Sequence, residues 1–216
     1  MPAWVEPLRS CGQFDVRSDR LPWARTVLLV FVCGGLAGLM MGSYAGRIEQ
    51  CLMSAVKVPM LLLLSAATCL PAFMTIHAML GLRHDMQALL RAVLATMAAF
   101  AVTLASVGPV LLVVYYSVRD YSVARLASGA IFALACVPAQ AVFVEHFRPL
   151  VVKRQQHGFA LKTWLVLYVF VTFQLAWLLR PFVGAPDLPI RWLREDAFGN
   201  AYVEVGGILR DWLTGI

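Results

Sequence analysis

The sequence predicts an all-α protein: a polytopic transmembrane helical bundle of about five spans, with amphipathic N- and C-terminal segments. Three observations carry that prediction. Hydrophobic residues make up 61% of the 216-residue chain and charged residues 14%, against about 45–50% and about 25% in ordinary soluble domains. A chain this short exposes too much surface to hide the excess in a core. The apolar residues also fall in long runs bounded by charges, and in lipid such runs satisfy their backbone as helices. The alternation expected of barrel strands is absent.

Taken in order, residues 1–25 are expected to be a cytoplasmic amphipathic segment, with Trp4, Val5 and Leu8 on one side and Pro7 interrupting it. Residues 26–185 hold the five spans, each needing about 20 apolar residues to cross a hydrocarbon core of about 30 Å. The first runs from Thr26 to Ala45 between Arg25 and Arg47. The second runs from Val58 to Leu82 between Lys57 and Arg83, and contains Pro59 and Pro71. The third covers Ala92 to Ser117, the fourth Leu126 to Val144, and the fifth Thr163 to Val183. Ser43-Tyr44-Ala45 has the small-x-small look of a signal-peptide cleavage site, but about 25 residues precede this span and its apolar stretch exceeds a typical signal core. It reads as a span. Residues 186–216 form an interfacial tail in which Val205, Ile208, Leu209, Trp212 and Leu213 recur at helical spacing, with Glu204, Arg210 and Asp211 largely opposite.

The net charge of +6 does not mark a nucleic-acid binder, because the basic residues are spread over termini and short loops. With the N-terminus inside, ten Lys and Arg fall on the inner side and eight on the outer. The loop with Arg148, Lys153 and Arg154 is the most convincingly cytoplasmic. The expectation is an N-terminus in the cytoplasm and a C-terminus outside. Trp177, Tyr115, Tyr116 and Tyr121 suit an outer aromatic belt, and Trp23, Trp164 and Phe147 an inner one.

Gly34, Gly38, Gly42 and Gly46 recur every fourth residue, which puts them on one helix face. Missing side chains there let another backbone approach closely. That other helix belongs to the same chain, or the face is a self-association or pore-lining seam; spacing alone leaves both open. Lys57 and Arg180 are cations in apolar surroundings, both on the outer side of a five-span topology. Snorkelling to outer-leaflet phosphates is one reading. The sharper one is an intramembrane charged cluster in which they share a carboxylate or an anionic headgroup, with Glu49 and Asp120 as candidate partners on the same side. Gln140 and Gln174 are polar residues within spans and suit interhelical hydrogen bonds.

Catalytic, cofactor-binding and metal-binding constellations are not recognisable. His77, His84, His146 and His157 are scattered, and the five cysteines lack a CxxC pair and read as small buried hydrophobes. There is no Walker loop, GxSxG or GxGxxG ahead of a helix. The predicted spans hold no Asp or Glu, which argues against a proton-driven carrier.

Ser54-Ala55-Val56-Lys57-Val58-Pro59 opens a long apolar run, and Gln174-Leu175-Ala176-Trp177-Leu178-Leu179-Arg180-Pro181-Phe182-Val183-Gly184-Ala185-Pro186 closes the fifth span. With Arg194-Glu195 and Phe198-Gly199-Asn200 in the tail, these segments make the chain resemble a group of bacterial multispan membrane proteins described as Yip1-like. The resemblance runs from the first span onward. It implies five spans and a bacterial inner membrane, and draws attention to Lys57 and Arg180, but brings no reaction with it. The leading expectation is a non-enzymatic scaffold, assembly factor or subunit, with the bilayer and other membrane proteins or further copies of itself as partners. The alternative is a channel or carrier with a preference for anions.

Overall fold

The computed structural model describes residues 23–81, 86–118, 120–153, 156–180, 182–184 and 192. Of the two amphipathic tail segments expected from the sequence, only residues 23–25 and 192 are among them; the rest lies outside, as does His84. The described residues form five long helices and no strand. They are α1 (Trp23–Gly42), α2 (Ile48–Met79), α3 (Met86–Ser117), α4 (Tyr121–Lys153) and α5 (Gln156–Leu178), with a 3-10 turn at Ser43–Ala45 between the first two. Each is long and apolar enough to cross a membrane. The chain is an integral membrane protein of the polytopic all-α kind.

The helix ends follow local chemistry that hydropathy does not register. The 3-10 turn closes on Gly46 at φ 65°, and α2 is followed by Gly81 at φ 72°; both sit in the left-handed region that glycine adopts without a Cβ penalty. Asp120 stands just before α4 and accepts the Ser122 amide at 2.7 Å, an N-terminal cap. All five helices depart from the expected span limits: α3 starts at Met86 rather than Ala92, α4 runs Tyr121–Lys153 rather than Leu126–Val144, and α5 starts at Gln156 rather than Thr163. Two further departures bear on the site. The second helix starts at Ile48 rather than Val58, because Gln50, Ser54 and Lys57 are polar yet inside. The fifth stops at Leu178 rather than Val183, since Arg180 precedes Pro181 and a residue before proline is pushed out of the helical region.

Consecutive helices run antiparallel, and their neighbours make a closed circuit: α1 packs on α2 and α3, α3 on α4, α2 on α5, and α4 more lightly on α5. Tyr168 of α5 reaches across the middle to Met97 of α3, hydroxyl to Sδ at 3.5 Å. One end of the bundle, here the distal end, gathers the α1–α2 turn, the α3–α4 turn and the close of α5. The opposite end is the proximal one.

The tightest contact is α1 on α2. A Cβ added at Gly38 would collide with the Ser54 carbonyl and lie 2.7 Å from Ala55 Cα; at Gly42 it would lie 2.7 Å from Cys51 Cα and from the Gln50 carbonyl. At Gly34 it would stand 3.3 Å from Pro59 Cα. Three of the four glycines thus form an intrachain seam, and the backbones touch where side chains would otherwise hold them apart. Gly46 is not part of it: nothing lies within 4 Å, and its glycine serves the turn.

Towards the proximal end, α2, α4 and α5 share an aromatic core. Trp164 stacks on Phe143 and Tyr168 with centroids at 5.2 and 5.5 Å, Phe143 stacks on Phe147 at 5.4 Å, and Phe73 lies 4.7 Å from Trp164. Such pairs add about 0.5–1.5 kcal/mol each beyond their buried area. Trp164, Phe147, Trp177 and Tyr115 are all buried, so they belong to the interior and not to the lipid-facing belts expected for them. Trp23 and Tyr116 are exposed and remain available to an interface.

Candidate functional site

Polar side chains converge at the distal end, on the side of α2 away from the glycine seam. Gln50, Ser54 and Lys57 follow one another at helical spacing, and all three are buried, Lys57 with 0% exposure. Close approach of α1 at Gly38 and Gly42 presses on this same stretch of α2 from behind. The seam therefore sets where the polar stripe stands.

In front of the stripe lies the chain that leaves α5. Ser54 Oγ donates to the Phe182 carbonyl at 2.6 Å, and Gln50 Nε2 donates to the same oxygen at 3.2 Å and to Ser54 Oγ at 3.3 Å. From α4, the Tyr121 hydroxyl makes a long contact of 3.4 Å to the Val183 carbonyl. Gly184 is buried against Gln50, where a Cβ would come within 2.8 Å of Cγ. The Phe182–Gly184 backbone has left the helix and so has no ladder of its own; α2 and α4 supply partners that lipid cannot.

Three cations at this end lie over aromatic rings. Lys57 Nζ is 5.8 Å from the Trp192 ring centroid, Arg180 Cζ 4.4 Å from Trp177, and Arg125 Cζ 5.9 Å from Tyr121. A desolvated cation gains most from such a contact, about 2 kcal/mol or more. Trp192, well beyond α5 in sequence, has its ring beside Lys57. Nearby, Tyr44 packs edge-on against Tyr115 at 5.2 Å, and the Tyr115 hydroxyl lies 2.7 Å from Ser128 Oγ and 3.2 Å from the Met41 carbonyl. At about 1.5 Å per residue, α2 is about 48 Å long, so with the helix centred on a hydrocarbon layer of about 30 Å, Lys57 falls about one turn inside it.

The expected site residues thus have separate fates. Lys57 is not at the entrance of its helix but inside it and fully buried. Arg180 is half-buried beyond the end of α5, not a turn before it. Glu49 is exposed in the first turn of α2, where a carboxylate suits the helix dipole. Asp120 is exposed and engaged in capping α4. Gln50, Ser54, Tyr121 and Trp192 were not anticipated. The signal for the first two was there: Gln50, Ser54 and Lys57 repeat at four and three residues, in a stretch read as a loop.

At the proximal end His77 and His157 are both fully buried, with ring centroids 5.6 Å apart and each ring nearly perpendicular to that of Phe147. His77 Nδ1 is 3.0 Å from the Phe73 carbonyl and so carries the proton. Among the described residues no three His, Cys, Asp or Glu side chains are grouped closely enough to hold a metal ion.

Comparison of the chain with protein-family models, with curated proteins and with solved structures returned no match.

Proposed function

We propose that the protein is a non-enzymatic scaffold, assembly factor or subunit of a larger or homo-oligomeric membrane complex. The observation that carries this reading is the clamp at the distal end. Ser54, Gln50 and Tyr121 hold the segment leaving α5 at the distal end, and Lys57 sits against Trp192. A bundle that fixes Phe182, Val183 and Gly184 in this way presents that short segment as a defined attachment surface. With Gly34, Gly38 and Gly42 occupied by α2, association falls to other faces, such as the apolar outer side of α1 with Leu28, Phe31, Val32 and Leu36. The resemblance to the Yip1-like group favours a bacterial inner membrane, and the count of Lys and Arg by side favours an N-terminus inside. The deciding experiment is the mass and composition of the protein extracted in mild detergent from its native host. Copurifying membrane proteins or a homogeneous oligomer are expected; a lone monomer would remove the proposal.

A second reading, an ion channel or small-solute carrier with a preference for anions, is favoured by one observation: a lysine fully buried inside a span. Intramembrane cations mark ion pathways in many membrane proteins. Liposomes containing the purified protein should then pass chloride or a larger anion, and Lys57→Met should abolish the flux. Absence of any anion flux from the wild type would dismiss this reading.

A further inference from the structure

α5 carries a single Lys, Arg, Asp or Glu along its length, Lys162. Unlike Lys57, this lysine is exposed, on a helix whose outward side faces lipid. It stands at the head of a shallow, open groove along this one helix, lined by Lys162, Thr163, Val166, Leu167 and Phe170. Those positions repeat at one, three and four residues and so form one stripe down the helix. Below the lysine the stripe is apolar: Val166 and Phe170 are exposed, and Leu167 packs its inner side on the core.

We propose that this groove holds an anionic phospholipid of the proximal leaflet, its phosphate at Lys162 and one acyl chain along Val166, Leu167 and Phe170. Depth is the first argument. The apolar helix from His157 to Leu178 is 22 residues long, about 33 Å, so it nearly matches a hydrocarbon layer of about 30 Å. Lys162 then lies only about 6 Å below the proximal boundary. Side chains on a helix lean toward its N-terminus, which for α5 is the proximal end, so the lysine stem carries Nζ up to the phosphate level. Charge is the second argument. An ammonium on a lipid-facing surface needs an anion at the interface, and a net negative headgroup supplies one without the repelling choline of a zwitterionic lipid. Shape is the third. From Lys162 to Phe170 the groove runs about 12 Å along the helix, room for the upper part of an acyl chain. The site is at the opposite end of the bundle from the Lys57 clamp and does not depend on it.

The test is native mass spectrometry of the full chain released from nanodiscs of equal phosphatidylglycerol and phosphatidylcholine. The wild type should retain phosphatidylglycerol preferentially. Lys162→Ala should reduce that enrichment about fivefold, the factor that one lysine contributes at an anionic surface, while Lys162→Arg should keep it. Arg148→Ala, at an exposed cation of α4, should leave it unchanged. Val166→Trp fills the groove with the charge intact and should lower the number of lipids retained. No enrichment in the wild type, or equal enrichment in Lys162→Ala, would overturn the proposal. So would a helix of another protein as occupant, recognised by unchanged lipid retention in Val166→Trp together with loss of a higher-mass species.

Discussion

Ser54 shows how much one hydroxyl can be asked to do. It accepts from Gln50 and donates to the Phe182 carbonyl at 2.6 Å, the shortest of the bonds that hold the chain leaving α5. Ser54→Ala should lower stability by about 1 kcal/mol, because Gln50 Nε2 still reaches that carbonyl. Adding Gln50→Ala should cost more than the sum of the two single changes, since the carbonyl then loses both side-chain donors that reach it. Thermal unfolding in detergent for the four variants of the cycle reads this directly. Trp164 is the residue on which the proximal core depends, buried between Phe73, Phe143 and Tyr168. Trp164→Ala should cost about 3–5 kcal/mol by removing a large side chain that its neighbours cannot replace. Denaturant titration followed by the remaining tryptophan fluorescence would measure it.

At the scale of elements, the α1–α2 pair separates glycines that look alike in the sequence. Gly38→Ala drives a methyl group into the Ser54 and Ala55 backbone, which cannot rotate away as a side chain could, so helix separation must grow. A cost of about 1–3 kcal/mol is expected, as for overpacking in general. Gly35→Ala meets only the Ala55 carbonyl at 3.6 Å, ordinary contact, and should be nearly silent. Gly46→Ala has open space but a φ of 65°, and should cost about 1 kcal/mol from backbone strain alone. Ranking the three by melting temperature in detergent checks the seam: Gly38 worst, Gly46 next, Gly35 least. The helix caps obey similar local rules. Asp120→Ala should destabilise by about 1 kcal/mol, through the orphaned Ser122 amide at the start of α4.

For the whole molecule, the five antiparallel helices among the described residues put Trp23 and Leu178 on opposite sides of the membrane. Reporters inserted just before Trp23 and just after Gly184 should therefore light up in opposite compartments, and equal signals from both would contradict the five-span bundle. The circuit of helices also explains why the two polar regions are far apart. The Gln50–Lys57 stripe lies near the start of α2 and the His77–His157 pair near its end, so each is served by a different set of neighbours. The intervening length is filled by Leu61, Leu62, Cys69 and Phe73, all buried.

Membrane class, helical form and the count of long apolar helices are legible in composition and run length, because lipid admits few alternatives for a backbone without water. The glycine repeat likewise announced a close contact, although Gly46 shares the spacing and serves a turn instead. Which helix fills that contact was open until the tertiary structure placed Ser54 and Ala55 against Gly38. Lys57 was visible as a cation in an apolar setting, but its depth was not. Hydropathy scores Gln50, Ser54 and Lys57 as a boundary, whereas packing buries them because a returning segment brings a carbonyl to two of them and an indole to the third. Glu49 and Asp120 looked like partners by side of the membrane alone, and turned out to stand at helix starts. Local spacing determines what a helix can offer on each face; only the arrangement of all five decides what each face meets.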